Sequence, residues 1–145
     1  MIAQIPPILL VDDDPEILVA LQRTLRTSPW TTDTAASAEE ALTRLQAQEY
    51  SVVLADYRMP NMTGVEFLAQ VCERHPETTR IILTGFGDIE IIEQAINDGH
   101  VYAYVRKPWE PDALKQIVRR AVELHELQCE KARLLTEVRA SHLLL

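Results

Sequence analysis

The sequence predicts an α/β fold in which helices cover both faces of a single doubly wound parallel sheet. Short apolar runs rich in β-branched residues alternate with longer segments of helical period along most of the 145 residues. This alternation is typical of α/β proteins. Several of the runs are continuously apolar, as strands covered on both faces must be. The segments between them are long enough for the crossovers that parallel strands require.

Five runs are predicted to form the strands: residues 8–11, 31–35, 51–55, 80–83 and 101–105. The first, third and fourth runs are apolar throughout, which indicates burial on both faces. The second run is the weakest of the five. The sequence between the runs predicts five helices.

Helix boundaries are predicted from residues that satisfy the unpaired backbone groups at helix ends. Asp14 before Pro15 is typical of an N-cap followed by proline at the first helical position, and residues 37–40 form a capping box. Gly99 is expected to end a helix that begins near Asp88. The apolar residues of that helix recur at helical spacing, which gives it a face toward the core.

The last helix is predicted to start after Pro111 and Asp112 and to continue to Leu145, because no proline or glycine interrupts this stretch. At 1.5 Å per residue it would be about 50 Å long and would extend beyond a small domain. Gln128 and Lys131 interrupt any heptad pattern, so the coiled-coil signal is weak. We expect a domain over residues 1–125 and a helical extension or linker over 126–145, directed toward an output domain or a dimer partner.

Composition and charge exclude several classes of protein. The net charge is −8, which argues against direct nucleic-acid binding by this domain. Acidic residues concentrate early in the chain, and basic residues concentrate after residue 105. The longest apolar runs are too short to span a bilayer and follow no cationic leader. We therefore expect no membrane contact and a cytoplasmic location.

The cysteines and histidines predict no metal centre. Cys72 and Cys129 stand apart from any CxxC or Cys/His cluster, so neither a disulfide scaffold nor a structural zinc site is indicated. Both are expected to be buried thiols. His125 is expected to lie exposed on the last helix. The remaining histidines lack metal-ligand spacing and are expected to be structural or solvated: His75, His100 and His142.

Polar side chains collect where the predicted strands end, which is where open parallel sheets bind ligands. They are Asp12, Asp13 and Asp14 after the first strand, Asp56 after the third, Thr84 after the fourth, and Lys107 with Pro108 after the fifth. Asp14 is explained as a helix cap, but Asp12 and Asp13 repel one another unless a cation is close. Lys107 is the only lysine in the first 114 residues, and Pro108 fixes how it leaves the strand.

These residues favour phosphoryl chemistry with a divalent ion. Clustered carboxylates bind Mg²⁺, which commonly takes its remaining ligands from phosphate. Lys107 and the Thr84 hydroxyl are placed to contact further phosphoryl oxygens. An aspartate is already ionised at neutral pH and needs no general base, so one carboxylate is left to attack phosphorus in line. From its position Asp56 is the candidate nucleophile, with Asp12 and Asp13 as metal ligands.

Over about residues 5–125 the chain resembles the receiver domain of bacterial two-component response regulators. The resemblance rests on motifs in order along the chain: Ile8-Leu9-Leu10-Val11-Asp12-Asp13, Asp56 with Met59-Pro60 and Gly64, Thr84-Gly85, and Tyr104 with Lys107-Pro108. It implies a flavodoxin-like sheet with strand order 2-1-3-4-5. It also implies a signalling switch that catalyses only its own phosphoryl transfer and autodephosphorylation.

By this resemblance Asp56 accepts a phosphoryl group from a sensor histidine kinase. Asp13, Asp56 and the backbone carbonyl of Arg58 would bind Mg²⁺, or Mn²⁺ in its place, and Asp12 would hold a metal-bound water. Lys107 would pair with the phosphoryl group. Arg58, two residues after the acceptor, is at the position that influences how long the phosphoryl group survives.

The resemblance also implies a switch. Thr84 would bond to a phosphoryl oxygen and Tyr104 would rotate inward, which remodels the face formed by the fourth helix, fifth strand and fifth helix. The implied partners are the kinase and an output domain or effector protein, with a homodimer through that face or the C-terminal helix left open. The glycine-rich segment 84–88 is expected to be mobile. It is similar to that of receivers fused to cyclic-dinucleotide phosphodiesterase or other enzymatic output domains.

Other functions fit parts of the pattern. A metal-dependent phosphohydrolase would need a second acidic residue where Arg58 stands, and a cap that 145 residues hardly allow. A pseudo-receiver, a protein-binding module that takes no phosphate, would keep the fold, yet every expected active-site residue is present. His125 with Glu126 and Leu127 superficially resembles the phosphoacceptor of a histidine kinase. The basic and proline residues that normally follow are replaced there by Gln128, Cys129 and Glu130.

Overall fold

The computed structural model describes residues 5–85 and 87–144, with side chains described as far as residue 141. Its strands are β1 (Ile8–Val11), β2 (Thr32–Ala35), β3 (Val52–Asp56), β4 (Thr79–Thr84) and β5 (Ala103–Arg106). Its helices are α1 (Pro15–Leu25), α2 (Ala38–Ala47), α3 (Gly64–Arg74), α4 (Ile89–Asn97) and α5 (Pro111–Leu144). The predicted alternation of strands and helices is confirmed over these described residues.

The strands form one parallel sheet in the order β2-β1-β3-β4-β5, as the sequence predicts. Every residue of β1 and β3 is buried, because both strands have neighbours at each edge and helices over each face. In register, Leu10 lies opposite Leu54, and Leu54 lies opposite Ile81. The chain order reverses between β1 and β3. Their carboxyl ends therefore border the crevice in which open α/β sheets bind ligands.

Successive side chains of a strand point to opposite faces, and here they enter two separate cores. From β1, Leu9 and Val11 pack with residues of α2, α3 and α4 on one face. Ile8 and Leu10 pack with residues of α1 and α5 on the other face. Because both faces are covered, neither set of positions tolerates polar side chains, and this explains the continuously apolar runs.

Two helices are capped by the predicted residues. The Asp14 carboxylate accepts a hydrogen bond from the amide of Glu16 at 2.9 Å. The Ser37 hydroxyl accepts one from the amide of Glu40 at 3.1 Å. The Glu40 carboxylate also accepts a hydrogen bond from the amide of Ala36 at 2.9 Å. In a capping box the donor would be the next amide, that of the N-cap residue itself. Each such N-cap contributes about 1 kcal/mol to helix stability.

Several strand boundaries differ from the prediction by one or two residues. β5 begins at Ala103 rather than at residue 101, because Val101 packs into the core before strand pairing starts opposite Ile81. β4 continues to Thr84, the last of its residues to pair with β5. Apolar runs indicate burial rather than backbone pairing. They therefore predict that a strand is present more accurately than they predict where it begins and ends.

The 34 residues of α5 differ in burial along the helix. The first part packs on the sheet through buried side chains: Leu114, Val118, Ala121 and Val122. From residue 126 to residue 141 each side chain is exposed except the half-buried Cys129. Leu145, to which the sequence extends this helix, lies outside the described residues. In the part of the chain that the structure describes, no helix combines the length and apolarity that crossing a membrane requires.

Two predictions about single residues are wrong. His125 is buried, with 3% of its surface exposed, because the turn before β4 covers it and the carbonyl of Glu77 lies 2.7 Å from its Nδ1. Cys72 and Cys129 are half-buried rather than buried thiols. Cys72 lies in the last turn of α3, and Cys129 lies on α5 beyond its buried side chains. The prediction for His142 falls on a side chain outside the described part of the chain.

Candidate functional site

The carboxyl ends of β1 and β3 bring three aspartates together. Asp12 and Asp13 directly follow β1, and Asp56 ends the neighbouring β3. One carboxylate oxygen of each lies within 4.8 Å of the other two. Asp12 is 1% exposed and Asp56 is 7% exposed, whereas Asp13 is exposed. Together they form an acidic pocket with two buried carboxylates and one open side.

Lys107 brings a positive charge into this acidic pocket. From the end of β5 its Nζ reaches to 2.7 Å from Asp56 Oδ1 and to 3.4 Å from Asp12 Oδ2. Its amide donates to the carbonyl of Thr84 at 2.7 Å, which ties the residue to β4. The peptide bond between Lys107 and Pro108 is cis. The ammonium group thus contacts both buried carboxylates.

Burial dominates the electrostatics of the acidic pocket. It raises the pKa of Asp56, although the hydrogen bond and charge of Lys107 partly lower it. Burial likewise raises the pKa of Asp12, against the hydrogen bond from the amide of Asp14. For Lys107 burial acts to lower the pKa, but contacts with Asp56 and Asp12 outweigh burial, and the pKa is raised. The ionised forms of these two carboxylates are therefore stabilised by cations beside them.

The donor atoms of the pocket fit a hard divalent cation. The pocket holds three carboxylates, and the ammonium group of Lys107 contacts two of them, so negative charge is in excess. All the acidic donors are oxygen atoms, which Mg²⁺ prefers, and Mg²⁺ is commonly held by one or two carboxylates together with a phosphate. Asp12, Asp13 and Asp56 therefore have the charge and the chemistry of a magnesium site open to a phosphoryl group.

Thr84 and Tyr104, the two predicted switch residues, point to the same face of the sheet. Tyr104 pairs in register with Ile82, which lies two residues before Thr84 on β4. Thr84 is fully buried, and its hydroxyl donates to the carbonyl of Gly85 at 3.2 Å. Tyr104 is half-buried and packs against the core beneath α4. The two side chains thus lie on the same face of the neighbouring strands β4 and β5.

An ion pair that was not predicted from the sequence joins the pocket to α4. The Arg58 atoms Nη2 and Nε lie 3.0 and 3.2 Å from the two carboxylate oxygens of Asp88, and both residues line an open pocket beside Asp13. Asp88 stands at the N-cap of α4 without a side-chain capping bond, because its carboxylate binds Arg58. In the segment expected to be mobile, Phe86 lies outside the described residues. Arg58 thus links the loop after β3 to the start of α4.

Gly64 lies against the backbone of the acidic pocket. Its amide donates to the carbonyl of Tyr57 at 2.7 Å, and a Cβ atom at this position would lie 2.3 Å from the carbonyl oxygen of Asp56. The absence of a side chain lets α3 begin this close to β3. The family resemblance included Gly64, but spacing alone supplied no physical reason for it.

A cluster at the opposite end of the sheet was not predicted from the sequence. Glu49, His125 and Cys129 each place a potential ligand atom within 4.8 Å of the other two. The sequence signal for this cluster was the spacing of four residues between His125 and Cys129, which puts both side chains on the same face of one helix. Glu49 comes from the distant loop before β3, which no local pattern reveals.

Comparisons with known proteins agree with this fold. The family model described as response regulator receiver domain matches residues 8–119. The hydrogenase transcriptional regulatory protein HoxA of Cupriavidus necator is 46% identical over 134 residues, 92% of this chain and 28% of the relative. The C4-dicarboxylate transport transcriptional regulatory protein DctD of Rhizobium meliloti is 39% identical over 125 residues, 86% of this chain and 27% of the relative. The chain thus spans little more than a quarter of the length of these curated relatives.

Solved structures are similar over the same region. The signal receiver domain of an HD domain-containing protein from Pseudomonas fluorescens Pf-5 has a TM-score of 0.84 and 38% identity, covering 90% of this chain and 96% of that chain. NtrX from Brucella abortus in complex with ADP has a TM-score of 0.81 and 29% identity, covering 89% of this chain and 30% of that chain. The family match includes the whole acidic pocket and Lys107. This chain therefore belongs to the response regulator receiver domain family.

Proposed function

We propose that this receiver domain is a phosphorylation-dependent signalling switch in which Asp56 accepts a phosphoryl group from a sensor histidine kinase. The observation that carries the proposal is the position of the Asp56 carboxylate. It ends the central strand β3, lies 2.7 Å from Lys107 Nζ and adjoins the carboxylates of Asp12 and Asp13. Membership in the family supports a signalling role that depends on phosphorylation.

In the proposed reaction a carboxylate oxygen of Asp56 forms a bond to phosphorus. The bond from phosphorus to the donor breaks, and its electron pair leaves with the donor atom, so that an acyl phosphate remains. Asp13, Asp56 and the Arg58 carbonyl would hold Mg²⁺ or Mn²⁺, and Asp12 would accept a hydrogen bond from a water beside them. A bound ion supplies charge neutralisation for the phosphoryl oxygens. Lys107 transfers its hydrogen bond from Asp56 to a phosphoryl oxygen.

The proposed relay starts from the hydroxyl of Thr84. A phosphoryl group on Asp56 offers strong acceptor oxygens, and Thr84 exchanges its bond to the Gly85 carbonyl for one of them. Its movement frees space on the face that Tyr104 shares, and Tyr104 rotates inward. The result is a shift in the population of conformations of α4, β5 and α5. Arg58, bound to Asp88 at the start of α4, is placed to influence the lifetime of the phosphoryl group.

Acetyl phosphate provides the direct test of phosphoryl transfer. The chain incubated with acetyl phosphate and Mg²⁺ is expected to gain the mass of one phosphoryl group, measured on the intact protein. Because the product is an acyl phosphate, the added mass should survive acid and disappear in base or hydroxylamine. Omission of Mg²⁺ with a chelator present should prevent most of the gain.

The same experiment separates the competing functions. Sustained turnover of an unrelated phosphate ester without retained mass would favour a metal-dependent phosphohydrolase. A chain that neither gains mass nor hydrolyses esters would be a pseudo-receiver that acts as a binding module. Either result would contradict the assignment of Asp56 as a phosphoacceptor.

We further propose that residues 1–125 form the receiver and that residues 126–145 form a helical linker or a dimer contact. The support is the exposure of apolar side chains beyond the last buried turn of α5: Leu127, Leu134, Leu135 and Val138 are 66, 47, 48 and 52% exposed. HoxA and DctD are named as transcriptional regulators, which favours a DNA-directed output domain as the partner. The receiver itself is not proposed to bind nucleic acid, and its cytoplasmic location stays a prediction.

Light scattering tests the dimer contact. The full chain is expected to show about twice its monomer mass, and a chain without residues 126–145 only its own monomer mass, because shortening removes the exposed side chains of Leu127, Leu134, Leu135 and Val138. A Leu134→Gln variant keeps the helix length and should also weaken the dimer. Identical monomers in the phosphorylated and unphosphorylated states would contradict this contact, while a dimer unchanged by shortening would point to the face of α4, β5 and α5.

A further inference from the structure

Glu49, His125 and Cys129 form a cluster, here called the base cluster, at the amino ends of β3 and β4. This is the end of the sheet opposite to Asp56. The helix α5 runs down to it from the end of β5, and the hydroxyl of Thr79, the first residue of β4, donates to the α5 carbonyl of Ala121 at 2.8 Å. Beyond the base cluster the exposed part of α5 begins. The cluster therefore stands where the helix leaves the domain.

The tautomer of His125 follows from its backbone partner. Its Nδ1 lies 2.7 Å from the carbonyl oxygen of Glu77. A carbonyl oxygen only accepts, so Nδ1 carries a proton, and in the neutral form of the ring the lone pair is at Nε2. A histidine that donates one ring N–H to a carbonyl while the other nitrogen is free has the arrangement of a metal-binding imidazole. With 3% exposure, His125 holds this orientation inside the protein.

The groups around Nε2 are a thiol and a carboxylate. Cys129 Sγ lies 3.6 Å away and Glu49 Oε1 lies 3.7 Å away. The carboxylate oxygen and the Nε2 lone pair are both acceptors, so no hydrogen bond joins them. Ligand atoms around a tetrahedral zinc ion are about 3.5 Å apart, given bond lengths near 2.0 and 2.3 Å. The two separations from Nε2 are close to this value, and all three ligand atoms lie within 4.8 Å of one another.

We propose that Glu49, His125 and Cys129 bind one zinc-like divalent cation. Imidazole, thiolate and carboxylate together are the ligand set of Zn²⁺ and not of Mg²⁺, which takes oxygen ligands. A solvent molecule would complete the four ligands. The proposal is independent of the phosphoryl chemistry, because the base cluster and the acidic pocket share no residue.

Binding requires one local adjustment. Cys129 Sγ is almost as close to Nδ1, at 3.9 Å, as to Nε2, so the sulfur must turn toward the Nε2 lone pair to share an ion with it. Cys129 is half-buried, so its side chain is not fully enclosed by the core. Burial, with the charges of Glu49 and Glu77, raises the pKa of the Cys129 thiol. The same negative charges favour a cation, whose binding would release the thiol proton.

A bound ion would connect the loop before β3 to the point at which α5 leaves the core. The Glu49 side chain is 66% exposed, whereas Nδ1 of His125 is held 2.7 Å from the carbonyl oxygen of Glu77. Joining these groups would restrain the direction of the exposed helix after residue 126. The base cluster would then couple divalent metal to the geometry of the linker.

Cobalt provides the probe, because a thiolate bound to Co²⁺ gives a charge-transfer absorption that oxygen ligands do not. The full chain, titrated with Co²⁺ in excess Mg²⁺ to occupy the acidic pocket, is expected to develop this band at one equivalent, and Zn²⁺ should abolish it. Cys129→Ser should remove the band. Cys72→Ser is the matched control, since Cys72 is the other half-buried thiol, and should leave it unchanged.

Glu49→Gln should leave the fold intact because Glu49 is exposed. It should weaken Co²⁺ binding about tenfold or more, which is the loss of affinity typical when a group that supports a metal ligand is removed. Zn²⁺ should also raise the Tm of the original chain and not that of Cys129→Ser. The proposal is overturned if the original chain gives no thiolate band, if the band survives in Cys129→Ser, or if it is lost in Cys72→Ser.

Discussion

Asp56→Asn is expected to abolish phosphorylation of this chain by acetyl phosphate in the presence of Mg²⁺. The substitution keeps the size of the side chain and removes the nucleophilic carboxylate, so phosphoryl incorporation should fall by at least about 100-fold, a conservative bound for loss of a covalent nucleophile. Intact-protein mass measures the effect. Asp98→Asn, at the exposed C-terminal end of α4, is the matched control and should gain the phosphoryl mass like the original chain.

The loss should not reflect unfolding. Asp56 is 7% exposed, and its burial penalises the ionised form, as the raised pKa records. A neutral amide avoids that penalty and still accepts the hydrogen bond of Lys107, which keeps Asp12 as a charged partner at 3.4 Å. We expect a Tm within about 4 °C of the original value, the shift that corresponds to roughly 1 kcal/mol in a domain of this size.

A second substitution distinguishes the acceptor from the metal ligands. Asp13 is the exposed member of the acidic pocket, so Asp13→Asn leaves the buried nucleophile in place. Phosphorylation should then become slower and need more Mg²⁺, but the final mass gain should be retained. Retained phosphorylation in Asp56→Asn together with its loss in Asp13→Asn would assign the acceptor to Asp13 and contradict the proposal.

The sequence was sufficient to predict those features that depend on burial and on strand order. Residues such as Leu9 and Leu10 must both be apolar because β1 is covered on two faces. Once the strands are parallel, their carboxyl ends meet at one edge, so Asp12 and Asp56 become neighbours without any knowledge of loop structure. The acidic pocket could therefore be placed from composition and position alone.

Features that depend on contacts between loops could not be predicted in this way. The helical spacing of α5 does not show that the turn containing Glu77 covers His125. Likewise, Asp88 has the position of an N-cap, yet it pairs with Arg58 across the pocket. In both cases the decisive partner lies far away in sequence and belongs to an irregular segment. Local sequence predicts that a helix forms, but the contacts of its side chains depend on loops that are distant in sequence.

Gly64→Ala is expected to destabilise the fold by about 3 kcal/mol, at the upper end of the usual cost of overpacking. The new Cβ atom would lie 2.3 Å from the carbonyl oxygen of Asp56 and 2.9 Å from Ile82 Cδ1. The Ile82 methyl group can rotate away, but the carbonyl belongs to the last residue of β3, which pairs with Leu83 of β4. Relief therefore requires α3 to move outward.

That movement is opposed by the amide of Gly64, which donates to the carbonyl of Tyr57 at 2.7 Å. The strain should therefore spread to the backbone of Asp56, and phosphorylation by acetyl phosphate should slow together with a fall in Tm of about 6–12 °C. Gly85→Ala is the matched control, because among the described residues, chain neighbours apart, a Cβ atom there meets no atom within 4 Å. If urea unfolding gave equal stabilities for the two variants, the close approach of α3 to β3 would not be the reason for glycine at position 64.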